Sequence, residues 1–164
     1  MWNGGGEGCI HSSSTAGICA LLLALTSLAA HAVENNQHKI VDGLSIYIGV
    51  LPAEMLLGHP KGHEEREMHG GVPAGTNRYH VVVALFDAVS GKRITNAQVK
   101  IGGASIGMAA ARKKAEPMLV NNLVAYGNYV ALPGQGPYKI LIEIKRPGVS
   151  KFIEVEFEYP FARA

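Results

Sequence analysis

Cysteine is almost missing from this chain: its 164 residues include only Cys9 and Cys19, both near the N-terminus. Charge is scarce too. Only 17% of residues are charged, and 15 basic against 13 acidic side chains give a net charge of +2, too small and too scattered for a nucleic-acid footprint. The single tryptophan is Trp2. No Gly-rich phosphate loop, GxSxG, HExxH or CxxC occurs, so no familiar catalytic set is present and the chain reads as a non-enzyme. The 20 Gly and 8 Pro follow no period, which excludes collagen-like repeats. What the chain does have is apolar content: 48% hydrophobic residues exclude intrinsic disorder and suffice for one ordinary domain.

Part of that content lies in one segment. Ala16 to Ala30 (AGICALLLALTSLAA) is an uncharged run of 15 residues, short for a bilayer-spanning helix but suited to the apolar region of a secretory signal. Ala30-His31-Ala32 is the small-x-small pattern that signal peptidase accepts. The expectation is a signal peptide over 1–32 and a domain over 33–164. The residues ahead of the run carry Glu7 and no Lys or Arg, unlike the usual positive n-region, and a buried core helix or membrane anchor is the competing reading. Cleavage after Ala32 leaves 15 basic against 12 acidic residues and takes away both cysteines. The exported domain then has no disulfide and no thiolate, so any metal chemistry must use His, Met or carboxylate. Neither cysteine stands where a lipid anchor needs it, which predicts a soluble periplasmic protein.

The remainder reads as strands. Lys39 to Val50 alternates through Leu44, Ile46 and Ile48 with period 2, as a half-buried strand does. Gly58 to Asn77 (GHPKGHEEREMHGGVPAGTN) has too many Gly and Pro breaks for a long regular element. Tyr79 to Asp87 and Ile94 to Ile101 flank the Ser90-Gly91 turn as a hairpin. Gly102 to Glu116 is a surface loop or one short helix. Met118 to Val120, Asn128 to Leu132, Tyr138 to Lys145 and Phe152 to Tyr159 are further strands, the last two with one core face and one solvent face. About seven short strands with frequent turn signals predict an all-β, immunoglobulin-like antiparallel β-sandwich, with a small barrel second.

Chemistry concentrates in the Gly-rich stretch. Met55, His59, His63, Met68 and His69 fall within 15 residues, and His80 follows on the next strand. Thioether sulfur selects Cu(I) and imidazole accepts either copper oxidation state, while Glu64, Glu65 and Glu67 widen the choice toward Fe(II), Mn or Zn. The bland readings stand beside this: a solvated loop with Met55 in the core, His80 as a hydrogen-bonded sheet residue, and Met118 as a filler of core gaps. The spacing matches no strict metal motif.

Three pieces of the chain resemble the periplasmic iron-transport accessory proteins, whose fold is immunoglobulin-like. HEEREMHGG, with Glu67-Met68-His69, is similar to that family's acidic segment ending in a metal-ligating His before the first long strand. The strands around DAVSGKRI resemble its strand, thin turn and strand. PMLVNNLVAYGNYVALPGQGPYKILIEIKRP, which contains Met118, is similar to its pattern of Met, a His seven residues on, Tyr-Gly, Asn and a Gly-x-Tyr strand ending at Pro. The resemblance covers roughly residues 59 to 160. It implies a site built from Met and several His, with copper or iron as cargo, and it maps ligands onto Met118 and His69. The pattern breaks at Ala125, where the family has its second His, and no His follows His80 to supply the last ligand. His80, His63 or His59 must then substitute.

These features predict a periplasmic, non-catalytic metal-binding protein, for copper and possibly iron, acting as a chaperone or as accessory to an inner-membrane metal permease. Its candidate ligands are His69, Met118, His80, His63, His59 and Met68. A homodimer through sheet edges is compatible with the strands. Because imidazole must be deprotonated to bind, affinity should fall as pH drops through about 6. The rival is an exported interaction module that uses a sheet edge or the basic stretch Arg112-Lys113-Lys114 and binds no metal; it predicts His69 and Met118 far apart. An enzyme with His80 as general base lacks a visible nucleophile or acid partner.

Overall fold

Alternating β-branched and aromatic residues give eight strands in the computed structural model, which describes residues 37–133 and 136–160. The predicted signal segment, 1–32, lies outside the described residues. β1 (His38–Val41) and β2 (Leu44–Pro52) form a hairpin on Asp42-Gly43, whose φ values of 48° and 75° suit a tight hairpin turn. β3 (Arg78–Asp87), β4 (Gln98–Ser105), β5 (Arg112–Val120), β6 (Leu123–Ala131), β7 (Tyr138–Lys145) and β8 (Ile153–Tyr159) complete the set. Two short helices, α1 (Ala53–Leu56) and α2 (Glu64–Glu67), and a 3-10 turn over Met68–Gly70 lie between β2 and β3. No described helix is long and apolar enough to cross a membrane.

The strands are ordered β1-β2-β3-β6-β5-β4-β7-β8, each antiparallel to its neighbours. β5 turns the corner between two layers. Its first half, Arg112–Ala115, pairs with β4, and its second half, Glu116–Val120, pairs with β6. The outer strands approach each other through side chains: Lys39 Nζ on β1 donates to the Glu156 carbonyl on β8 at 2.7 Å. The result is an all-β antiparallel fold in which one continuous sheet bends over itself, nearly as a barrel does.

Three local expectations are corrected. Tyr79 to Asp87 and Ile94 to Ile101 do not pair as a hairpin: β3 pairs with β2 and β6 and β4 with β5 and β7, and past the Ser90-Gly91 turn the chain runs back along β3 only at a Phe86–Arg93 bridge. There are eight strands where about seven were expected, because Asp42-Gly43 splits the stretch 39–50. Gly102 to Glu116 is neither loop nor helix at its ends: β4 runs on to Ser105 and β5 begins at Arg112. The small Gly102 and Gly103 continue the ladder opposite Leu141 and Ile140. The side chain of Arg112 is also engaged, on Glu143 and Glu154 at 3.0 and 2.9 Å.

The main core lies between the layers. Leu44, Ile46 and Ile48 of β2 and Tyr79, Val81, Val83 and Leu85 of β3 meet Ile140, Ile142 and Ile144 of β7 and Phe157 of β8. Since strand side chains alternate, His80 must point to the other face of β3. That face carries a second, smaller apolar cluster of Ala53, Leu56 and Tyr129 with Val72 against it. The segment between β2 and β3 thus covers the outer face of β3 and β6.

Candidate metal centre

The site is built on three neighbouring strands, β3, β6 and β5. In the register, Gly127 of β6 lies opposite Val82 on one side and Glu116 on the other. Two residues along, on the same faces, stand His80 and Met118. Gly127 has no side chain, so the space above it is open. A Cβ built there would lie 2.6 Å from Met118 Sδ, 2.9 Å from His80 Nε2 and 3.0 Å from His69 Nε2. Two imidazole nitrogens and one thioether sulfur therefore converge on a single point.

His69 reaches that point from the covering segment. Its backbone is left-handed, at φ 56°, and Gly70 and Gly71 continue at 82° and 93°, values that favour glycine. The reversal turns the imidazole inward, leaving its side chain 3% exposed. Outside, Nδ1 lies 3.1 Å from Glu116 Oε2, whose side chain is 55% exposed. With the Nδ1 proton directed to that carboxylate, Nε2 presents its lone pair to the interior. A carboxylate behind a ligand histidine is the arrangement that orients metal ligands and raises their basicity.

The inner nitrogens have no hydrogen-bond partner. His69 Nε2, His80 Nε2 and the Tyr129 hydroxyl are all buried and unpaired, although buried polar groups are ordinarily satisfied. The rings are close together: His69 to His80 is 5.3 Å between centroids and His80 to Tyr129 is 5.0 Å. Burial, with the charge of neighbouring His69 adding to it, pulls the His80 pKa from 6.5 down to about 4. His80 thus holds a free lone pair well below pH 6, which moves its share of the expected acid loss to lower pH. Burial also pushes the Tyr129 hydroxyl up, keeping it a neutral phenol. A soft or borderline cation would satisfy two orphaned nitrogens that no protein group reaches.

Of the sequence candidates, His69, His80 and Met118 come together here, so the far-apart placement that the interaction-module reading requires is not found. They meet on the outer face of one layer, beneath the covering segment. Met68 lines a pocket of about 250 Å³ together with Leu51, Leu56, Glu65, His80 and Met118. His59 and His63 do not join the convergence point and form a separate group with Glu65. Met55 is 62% exposed and neither packs in the core nor approaches the site. Sequence reasoning missed Gly127, Glu116 and Tyr129. Ala125 stands directly opposite Met118 in the ladder, so it is a methyl group, not a donor, that faces this side of β6 there.

No protein-family model matches this chain, and no curated protein matches it in sequence. Solved structures do match. A copper-bound variant of Campylobacter jejuni P19 is 15% identical over 76% of this chain and 94% of its own, with a TM-score of 0.57. A copper-bound variant of FetP from uropathogenic Escherichia coli is 16% identical over 74% of this chain and 91% of its own, with a TM-score of 0.55. FetP has also been produced in the periplasm of Escherichia coli. A DUF4426 family protein from Pseudomonas aeruginosa is 9% identical over 77% of this chain and 96% of its own, again with a TM-score of 0.55. The fold expected from the resemblance is thus the fold observed.

Proposed function

We propose that this chain is an exported, non-catalytic copper-binding protein that holds Cu(I) between Met118, His69 and His80 and serves as an accessory to metal uptake. The observation that carries the reading is the convergence of two unpaired buried nitrogens and one sulfur over Gly127. Thioether and imidazole donors suit Cu(I), and none of the three converging donors is oxygen, which favours copper over Fe(II) or Mn(II). In this reading His80 takes the ligand role that Ala125 has lost, and Glu116 positions His69 from behind. Copper-bound P19 and FetP share the fold, and the signal-like segment 1–32 together with periplasmic production of FetP supports export.

The test is competition for Cu(I) against a chromophoric chelator at neutral pH. The wild-type protein should withhold one equivalent. Gly127→Ala should weaken retention by at least about tenfold, the lower end of what disturbed ligand surroundings cost, because its methyl group occupies the position the three donors face. X-ray absorption should report a Cu–S contact that disappears in Met118→Leu. A wild-type protein that withholds no Cu(I), or a Gly127→Ala variant that withholds it as well as wild type, would overturn the reading.

A further inference from the structure

A second group of donors sits on the covering segment, and it shares no residue with the cradle over Gly127. His59 Nε2 lies 3.0 Å from Glu65 Oε2. The His59 and His63 rings stack with centroids 4.4 Å apart and planes 11° from parallel. One donor atom from each of His59, His63 and Glu65 lies within 4.8 Å of the others. The local chain holds them there. Arg66 Nη1 donates to the His59 carbonyl at 2.9 Å, and His63 caps α2 by accepting from the Glu65 N–H at 3.3 Å. Gly62, at φ 86°, turns the chain between the two histidines.

We propose that His59, His63 and Glu65 form a second, solvent-facing site for a borderline divalent cation of the Zn2+ or Cu2+ class. Two imidazoles and one carboxylate are the donor set such ions take, with positions left for water. The contrast with the cradle lies in softness: an oxygen donor replaces the sulfur, so this site has no preference for Cu(I). Bonds of about 2.0–2.2 Å in a tetrahedral site leave donors about 3.4 Å apart, a spacing that His59 Nε2 and Glu65 Oε2 already meet at 3.0 Å, so the adjustment falls mainly on His63. Exposed rotamers supply that movement, since His63 is exposed and His59 and Glu65 are partly so. Placement gives the site its use. Glu65 also lines the pocket that ends at His80 and Met118, so an ion held here stands at the rim of the way inward. Binding at this outer site is independent of the copper reading, and only its service to the cradle rests on that reading.

The experiment is Zn2+ binding by the full chain at neutral pH, measured by equilibrium dialysis with metal analysis in the Gly127→Ala background, where the cradle is blocked. Met118→Leu combined with His69→Ala, which leaves the cradle one donor, serves as the background if Gly127→Ala does not fold. One Zn2+ is expected, with its addition shifting the ring NMR signals of His59 and His63. His59→Ala combined with His63→Asn, which keeps a side-chain acceptor at the helix cap, should weaken that uptake at least tenfold. Placed in the otherwise wild-type chain, the same pair should leave Cu(I) retention by the cradle intact, so failure of one site is distinguishable from failure of the other. Absent Zn2+ uptake in the blocked background, or uptake unchanged by the His59/His63 pair, would overturn the proposal.

Discussion

A histidine whose Nε2 has no hydrogen-bond partner and which is 2% exposed is costly to protonate, and this makes His80 a determinant of stability in the metal-free protein. Its pKa is about 4 in the folded chain against about 6.5 in an unfolded one. Between those values the unfolded state binds more protons, so stability rises with pH across this window. The His80 contribution is complete above about pH 6.5 and is lost as pH falls toward 4. The full difference amounts to roughly 3 kcal/mol. Asp87 and Glu143 also titrate below their ordinary values of 3.8 and 4.5, but their contributions fade only beneath about pH 4.5. Urea unfolding of chelator-treated protein at pH 7, 6 and 5 should therefore show a steady decline that His80→Leu flattens. A wild-type profile level across that range would show that protonating His80 costs nothing in the fold.

At the scale of strands, the site depends on register. Val120 pairs with Leu123 across Asn121-Asn122, whose φ values of 49° and 62° give the left-handed turn a two-residue hairpin needs. A slip of one residue would send Met118 to the core face and remove its sulfur from the cradle. Asn tolerates this conformation and a β-branched residue does not. Asn122→Val should accordingly cost about 1–2 kcal/mol in a denaturant titration, while Asn122→Gly stays within about 0.5 kcal/mol. Equal costs for both would place the turn's contribution elsewhere. Much of this was readable in advance. The β-branched run of β3 and the alternation of β7 and β8 mark strands, the His/Met cluster marks His69 and His80, and the family resemblance marks Met118. Asp42-Gly43 is a hairpin signal too, but Leu44, Ile46 and Ile48 keep a parity that reads as one unbroken strand. Gly127 and Glu116 were not legible, because a glycine reads as a weak point in a strand and a lone Glu as a surface charge. Only the pairing of β6 with β3 and β5 turns the one into a space between donors and the other into a partner for His69.

For the molecule as a whole, core and site occupy opposite faces of the same strands, and this separates folding from metal binding. The core between the layers closes on itself, with Leu44, Ile101, Ile140 and Phe157 fully buried and none of them near the cradle. Losing the site should leave the β fold standing. Gaining the metal should stabilise the chain where the covering segment meets β3, β5 and β6, because the cation would tie His69 of that segment to His80 and Met118 of the strands. At a free Cu(I) concentration a hundredfold above the dissociation constant, linkage adds about 2.7 kcal/mol, worth roughly 10 °C in a domain of this size. Gly127→Ala should unfold cooperatively but gain almost none of that rise. Hydrogen exchange separates the local from the global effect: copper should slow exchange most over residues 64–71 and least in β7, whose ladder to β4 and β8 does not touch the site. Protection spread evenly over all eight strands, or the same thermal gain in Gly127→Ala, would mean that copper binds somewhere other than the face over Gly127.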